Sequence, residues 1–217
     1  MPKTEPFEKH VDRYEQWFLD NPLAYVSEIK AIQALLPKSG EGVEIGVGTG
    51  RFAAPLKIRH GVEPAAQMAA LARKRGVEVS EGTAERLPFD DGRFDFALMV
   101  TTLCFVDDPQ AALREARRVL KPGGVLVVGL IDRASPLGKS IQKQKGESLF
   151  YREATFHSAA EVVEMLKGAG FAEFAFTQTL FRPLAAIEGA EPVREGHGKG
   201  SFVAIRGKIS SPQIHAD

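Results

Sequence analysis

The sequence predicts a doubly wound α/β fold, with a mainly parallel sheet and helices on both of its faces. From residue 42 to residue 131, short apolar runs alternate with longer segments of helical periodicity, which is typical of βαβ units. Residues 96–100 and 125–128 are apolar on both faces, as strands covered on each side must be. A glycine-rich turn also directly follows the first of these runs.

Two amphipathic helices are predicted before the sheet. The apolar residues from Phe7 to Phe18 recur at the spacing of one helical face. A second helix begins at Asn21, which precedes a proline. It ends before Pro37, because proline disfavours helical geometry in the residue before it.

The later elements follow from apolar runs, turn residues and helix caps. A capping box at Ser158 opens the last predicted helix, and residues 182–199 form a long loop of the kind that is often functional. Strands are predicted near residues 42–46, 58–62, 77–80, 94–100, 125–131, 171–180 and 200–207, and helices near 51–56, 65–75, 109–120, 136–148 and 158–168.

The composition excludes several classes of protein. The 217 residues suffice for one domain, and 28 basic residues balance 28 acidic ones, so no net field draws the chain to nucleic acid. The single cysteine excludes an internal disulfide, and the five histidines lack ligand spacing, so we expect no metal. No apolar run approaches the ~20 residues that span a bilayer. We therefore expect a soluble, cytoplasmic protein.

Residues 43–50, VEIGVGTG, carry the clearest chemical signal. Alternate glycines let the backbone turn tightly and approach a ligand closely. A dinucleotide fingerprint needs a further glycine where this chain has Arg51. Glu44, two residues before the first glycine, would repel a pyrophosphate but favour an ammonium group. Glu63 ends the next strand, where a carboxylate can accept hydrogen bonds from both ribose hydroxyls.

Four segments in order resemble the motifs of class I S-adenosylmethionine-dependent methyltransferases, in particular the small type 11 branch. They are VEIGVGTG, GVEP, EGTAERLPFDDGRFDFALMV and RVLKPGGVLVVG, and the resemblance covers about residues 40–132. It implies a Rossmann-like, seven-stranded sheet of order 3-2-1-4-5-7-6 with the last strand antiparallel. The implied activity is in-line methyl transfer from S-adenosylmethionine to a small-molecule acceptor.

The resemblance also implies the domain organisation. Residues 1–208 would form a single methyltransferase domain, and its N-terminal helices, at about residues 5–36, look like the lid of the family. Residues 209–217 are predicted to be a frayed tail.

The same resemblance assigns residues to the cofactor. The three glycines would line the methionine portion, Glu44 would favour its amino group, and Glu63 would hold the ribose. Thr83 stands where the family commonly has an aspartate beside the adenine, and Tyr14 would close over the cofactor. The complete predicted set is Tyr14, Glu44, Gly46, Gly48, Gly50, Glu63, Pro64, Thr83, Ala84, Glu85, Val100 and Thr101.

Acceptor contacts are predicted from position, at the carboxyl ends of the fourth and fifth strands. Residues 103–106 read Leu-Cys-Phe-Val where many relatives have Leu-His-His-Val, so no histidine base is present and no catalytic residue is identified. No Asn-Pro-Pro-Tyr follows the fourth strand, which argues against methylation of DNA bases. The predicted acceptor-contacting residues are Thr102, Cys104, Phe105, Asp132, Arg133 and Tyr151.

Two other functions remain open from the sequence. A nicotinamide-dependent oxidoreductase would use a related sheet, although Arg51 and Glu44 argue against it. A non-catalytic protein that binds the cofactor without turnover is compatible with the missing histidines. Structural roles compete at single positions, since Glu63 could be a solvated strand end and Cys104 a small buried hydrophobe.

Overall fold

The computed structural model describes residues 4–209. Three helices come first, followed by a sheet whose strands alternate with helices. The elements are α1 (Glu5–Lys9), α2 (Val11–Asp20), α3 (Pro22–Gln33), β1 (Gly42–Ile45), β2 (His60–Val62), α4 (Ala66–Lys74), β3 (Glu78–Ser80), β4 (Phe94–Val100), α5 (Pro109–Val119), β5 (Leu120–Ile131), α6 (Pro136–Gln144), α7 (Ala159–Gly168), β6 (Phe171–Thr179), β7 (Arg194–Glu195) and β8 (Phe202–Ile209).

The strands form one sheet in the order β3-β2-β1-β4-β5-β8-β6-β7. Strands β1 to β5 are parallel, and β8 runs antiparallel to both β5 and β6. The predicted fold class and strand order are therefore confirmed, with β8 as the predicted seventh strand. The sheet has eight strands rather than seven because Arg194 and Glu195, inside the predicted loop, pair with Gln178 and Thr177 of β6. Two residues are too few to show a strand pattern in the sequence.

Two local predictions differ from the structure. The first predicted helix is divided at His10 into α1 and α2. The predicted helix at residues 51–56 is a series of turns. Two of its amides, those of Ala54 and Leu56, bond to carbonyls four residues earlier, but Lys57 adopts a positive φ of 59° and ends the run. The predicted tail meets the described residues only at Ile209, which ends β8, and residues 210–217 lie outside them.

The core consists of two apolar clusters, one on each face of the sheet. Successive side chains of a strand point to opposite faces, so Ala97 and Met99 of β4 join one cluster while Leu98 and Val100 join the other. Helices α5 and α7 cover the first cluster, and α3 covers the second. Within residues 4–209, no helix is long and apolar enough to cross a membrane.

Candidate functional site

A cavity of about 610 Å³ lies at the carboxyl ends of the parallel strands, beneath helices α1 to α3. Strand β1 pairs with β2 on one side and with β4 on the other, so the strand order reverses between β1 and β4. Ligands of open α/β sheets bind at such a reversal. Ten of the twelve residues predicted to bind cofactor line this cavity. They are Tyr14, Gly46, Gly48, Glu63, Pro64, Thr83, Ala84, Glu85, Val100 and Thr101.

The turn after β1 requires its glycines for different reasons. Gly46 has a φ of 70°, and a Cβ there would stand 2.5 Å from the Thr102 side chain. Gly48 has a φ of 55° and faces the Tyr14 hydroxyl, which a Cβ would approach to 3.3 Å. A Cβ on Gly50 would instead meet Ala72 of α4 at 3.1 Å. Gly46 and Gly48 thus shape the cavity, whereas Gly50, which is outside its lining, lets α4 pack closely.

Glu63 connects the end of β2 to the glycine turn. Its carboxylate accepts hydrogen bonds from the Gly48 amide at 2.8 Å and from the Ala65 amide at 2.9 Å. Because the side chain is only 7% exposed, it is not a solvated strand end. Burial raises its pKa, and the two amides partly offset the rise. A carboxylate has about four lone-pair positions, so acceptor capacity remains for a ligand in the cavity.

Glu44 is buried beside the glycine turn and does not line the cavity. Its Oε2 atom has no hydrogen-bond partner within residues 4–209. Burial raises the pKa of this carboxyl well above its ordinary value, the Ala53 amide lowers it, and the charge of Glu63 raises it further. Glu44 is therefore a buried acid with one unsatisfied oxygen directly behind the glycine turn, and its predicted role toward the amino group of the cofactor stays a prediction.

The segment after β3 reaches the cavity, and the backbone of Thr83 and the side chain of Glu85 form contacts within the protein. Thr83 forms an isolated bridge with Arg86. Glu85 accepts a hydrogen bond from the Asp107 amide at 2.8 Å. The side chain of Glu85 therefore ties two loops together while its residue lines the cavity.

The end of β4 has an unusual backbone. Thr101 adopts a φ of 49°, which is costly for a β-branched residue, and its amide bonds to the Gly129 carbonyl at 2.8 Å. Leu180, after β6, adopts a φ of 60° and also lines the cavity. The Thr102 hydroxyl lies within hydrogen-bond distance of the Ile45 and Val100 carbonyls. Strained residues thus stand at the ends of two strands that border the cavity.

Helix α2 is attached to the glycine turn by Glu15. Its carboxylate accepts hydrogen bonds from the Thr49 hydroxyl and from the guanidinium groups of Arg51 and Arg75. Burial acts to raise the pKa of Glu15, but these donors hold it below its ordinary value. The Tyr25 hydroxyl of α3 donates to the Arg51 carbonyl. The residue that breaks the dinucleotide pattern therefore holds the N-terminal helices in place.

Aromatic rings close one side of the cavity. Phe7 of α1 lies 4.9 Å from Phe105 and 5.2 Å from Phe150, measured between ring centroids. Phe105 in turn stacks on Tyr151 at 6.0 Å. Because the rings come from α1, from the turn after β4 and from residues 148–151, they join the N-terminal helices to the body of the protein.

The predicted acceptor residues divide into two groups. Thr102, Phe105 and Tyr151 line the cavity. Cys104 does not; it borders a separate cavity of about 20 Å³, and its thiol lies 3.2 Å from the Thr101 carbonyl.

Asp132 and Arg133 are also outside the cavity lining. Asp132 accepts from the Ala134 amide at 2.8 Å, and Arg133 pairs with Glu161 at the start of α7. The structure gives these two residues local structural contacts.

Several cavity residues have no signal in the sequence motifs. The most notable is Glu28, a buried acid on α3, whose buried neighbours on the same face are Ala24, Ser27 and Ala31. Small side chains hide this face from a search for apolar periodicity. Half of the other additions named here come from the N-terminal helices and from α6. They are Phe7, Trp17, Phe18, Leu137 and Ile141, and the others are Phe52, Met68, Ile131, Phe150 and Leu184.

Comparisons with known proteins agree with this site. A family model described as a methyltransferase domain matches residues 43–128. A crystal structure of an S-adenosylmethionine-dependent methyltransferase from Thermotoga maritima, described as a possible histamine N-methyltransferase, has a TM-score of 0.94 and 56% identity, covering 95% of this chain and 100% of that one. An uncharacterized protein of Methanocaldococcus jannaschii is 48% identical over 199 residues, which are 92% of this chain and 96% of the relative.

A more distant relative is a quinone-biosynthesis enzyme. The ubiquinone/menaquinone biosynthesis C-methyltransferase UbiE of Desulfotalea psychrophila is 29% identical over 171 residues, covering 63% of this chain and 68% of its own length. The fold and the site define an α/β protein with a cradle for a cationic nucleoside ligand. The chain belongs to the class I S-adenosylmethionine-dependent methyltransferases of type 11 and is an enzyme whose cofactor is S-adenosylmethionine. Membership of this family rules against the alternative function as a nicotinamide-dependent oxidoreductase.

Proposed function

We propose that this enzyme methylates a small, largely apolar molecule that binds in the same cavity as the cofactor. The observation that carries the proposal is that one continuous cavity, of about 610 Å³, joins the glycine turn to a wall of apolar side chains. Strands β1 to β3 and their loops supply the polar half. Ile131, Leu180 and Leu184, on the far side of β4, supply the apolar half.

The polar half fits S-adenosylmethionine. The backbone at Gly46 and Gly48 leaves space that a Cβ would fill, for the methionine portion. Glu63 has lone pairs left for the ribose hydroxyls, and residues 83–85 border the place for the adenine. Glu63 lines the cavity and can supply negative charge for a cationic guest. Glu44 lies behind the turn, and its raised pKa favours the protonated form. We infer that α1 to α3 act as the lid of one domain spanning residues 1–208.

The cofactor, when bound, supplies a methyl group that is already activated by a sulfonium. The protein then has to hold the acceptor close and aligned and to remove water from it, which can lower the barrier by ~7–11 kcal/mol. The aromatic rings of Phe7, Phe105 and Phe150 seal the cavity on one side. Glu15 keeps α2 over the glycine turn. These contacts support a reaction in a site that is partly shielded from water.

Binding and turnover can be tested separately. Trp17 is the one tryptophan of the chain and lines the cavity, so its fluorescence should respond to S-adenosylhomocysteine at micromolar concentrations. Incubation with a cell metabolite extract and isotope-labelled S-adenosylmethionine should then give a labelled small molecule. Binding without any labelled product would favour the non-catalytic alternative. Absence of binding would contradict the proposal altogether.

A further inference from the structure

We propose that Glu28 recognises the methyl acceptor and that the acceptor carries a basic amine nitrogen. This inference rests on the proposed function and names the substrate class of the same cavity. Its basis is a buried acid that faces the apolar half of the cavity and that the structure leaves without a counter-charge.

Glu28 has no structural partner. Its side chain is 5% exposed, and no hydrogen bond or ion pair to its carboxyl is found among residues 4–209. The adjacent Ser27 shows the contrast, because its hydroxyl donates to the Leu23 carbonyl and accepts from the Glu191 amide at 2.8 Å. Ser27 connects α3 to the loop after β6, whereas Glu28 contributes no such connection. A buried acid that does nothing for the fold is a functional candidate.

The position of Glu28 separates it from the cofactor residues. Helix α3 packs against β6 and β8, which lie beyond β5 in the sheet, whereas Glu63 stands at the end of β2. The cavity wall on this side includes Ile131, Leu180 and Leu184. Tyr151 lies near Glu28. Burial raises the pKa of the Tyr151 hydroxyl most, and the charges of Cys104 and of Glu28 raise it further. Glu28 therefore belongs to the acceptor half.

Within residues 4–209, no basic side chain neutralises Glu28. Burial alone raises its pKa to about 8, and no cation lowers it. Arg13 is the one basic side chain that lines the cavity in the described residues, and it is exposed on α2. The remaining ionisable groups of the lining are neutral or acidic, namely Tyr14, Asp20, Glu63, Glu85 and Tyr151.

A protonated amine is the guest that best completes this environment. An ammonium group pairs with a buried carboxylate, and the pair costs far less than the isolated charge. A carboxylate or phosphate on the acceptor would be repelled, and a purely apolar acceptor would leave the acid unsatisfied. An alcohol can donate one hydrogen bond but brings no charge, so it should bind more weakly than the matching amine.

The same carboxylate can prepare the nitrogen for reaction. An ammonium has no lone pair, so it must lose a proton before it can attack a methyl group. The N–H bond breaks, its electron pair stays on the nitrogen, and the proton forms an O–H bond on the Glu28 carboxyl. That proton passes to water when the product leaves. A carboxyl whose pKa is raised to about 8 is a stronger proton acceptor than an ordinary one.

The experiment uses matched amine and alcohol probes. The full chain is saturated with S-adenosylhomocysteine, and the fluorescence of Trp17 is followed during titration with an amine or with the matching alcohol. The two pairs are 2-phenylethylamine with 2-phenylethanol, and histamine with 4-(2-hydroxyethyl)imidazole. At pH 8 to 9, we expect the wild type to bind amines about tenfold more tightly than the paired alcohols or better. In Glu28→Gln this preference should fall to near unity, with affinity for S-adenosylhomocysteine unchanged.

The control is Glu164→Gln, the same substitution at an exposed acid of α7, which should keep the amine preference. Amine binding by the wild type should also weaken as the pH falls below about 8, because Glu28 becomes protonated, and this dependence should vanish in Glu28→Gln. The proposal is overturned if no amine of the set binds more tightly than its alcohol, or if Glu28→Gln keeps the preference. Failure of S-adenosylhomocysteine to bind would instead contradict the proposed function.

Discussion

The substitution Glu28→Gln should make the protein more stable than the wild type, and this advantage should grow as the pH rises. It should do so although it removes a proposed substrate contact. Burial raises the pKa of Glu28 from an ordinary value of 4.5 to about 8. The unfolded chain therefore releases this proton more readily than the folded one, and unfolding becomes easier as the pH rises between these two values. The penalty is absent below pH 4.5 and complete above pH 8. Glutamine resembles the protonated acid and carries no such penalty.

The size of the effect follows from the shift in pKa. One pKa unit corresponds to about 1.36 kcal/mol, so the penalty at neutral pH is at most about 3 kcal/mol, and above pH 8 it approaches about 5 kcal/mol. Between pH 5 and pH 7, the advantage of Glu28→Gln over the wild type in the free energy of unfolding should grow by about 2 to 3 kcal/mol.

Urea unfolding of both proteins at several pH values measures this difference. Subtracting the two curves cancels the titration of every other group, including Glu44 and Glu63, whose pKa values are raised as well. Glu164→Gln, at an exposed site, should differ from the wild type by less than about 0.5 kcal/mol at every pH. A difference between Glu28→Gln and the wild type that does not change with pH would refute the assignment of Glu28 as a buried, unpaired acid.

Three further substitutions test the cofactor half. Glu63→Gln loses the charge that would hold the ribose, so titration calorimetry should show affinity for S-adenosylhomocysteine weakened about tenfold or more, and an unchanged affinity would remove this residue from the site. Gly46→Ala places a Cβ 2.5 Å from the Thr102 side chain, so urea unfolding should show a loss of stability larger than that of Gly76→Ala, where φ is also positive but the space is open. Glu15→Gln removes the charge that two arginines share, so hydrogen exchange in α2 should accelerate and S-adenosylhomocysteine should dissociate faster; equal exchange rates would show that α2 does not depend on this contact.

The glycine turn and the acid after β2 were predictable because their chemistry is local in the sequence. Residues 43–50 combine a strand, a turn that needs positive φ and an acid, all within eight positions. Glu63 follows the next strand, and parallel strands end at the same edge of the sheet. The hydrogen bond between Glu63 and the Gly48 amide was not predictable, because it depends on how closely the two strand ends approach.

Position at a strand end was a weaker guide to the acceptor residues. Asp132 and Arg133 follow β5 and stand at the correct edge of the sheet, but their side chains contact the backbone of the next turn and Glu161 of α7. The direction of a side chain after a strand depends on the neighbouring helix, which the strand pattern does not contain. Phe105 and Tyr151 do lie in the cavity wall, and their contact with the acceptor stays a prediction.

By itself, the sequence determined most of the strands, the glycine turn and the acids around it, because strand periodicity, turn geometry and charge are properties of short segments. The order of the strands in the sheet was expected from the resemblance to the family. Only the tertiary structure decided which helix covers the cavity and which side chains meet inside it. Glu28 shows the reason most clearly: it is an acid among alanines and a serine along α3, and its burial without a partner arises only when that helix packs on β6 and β8.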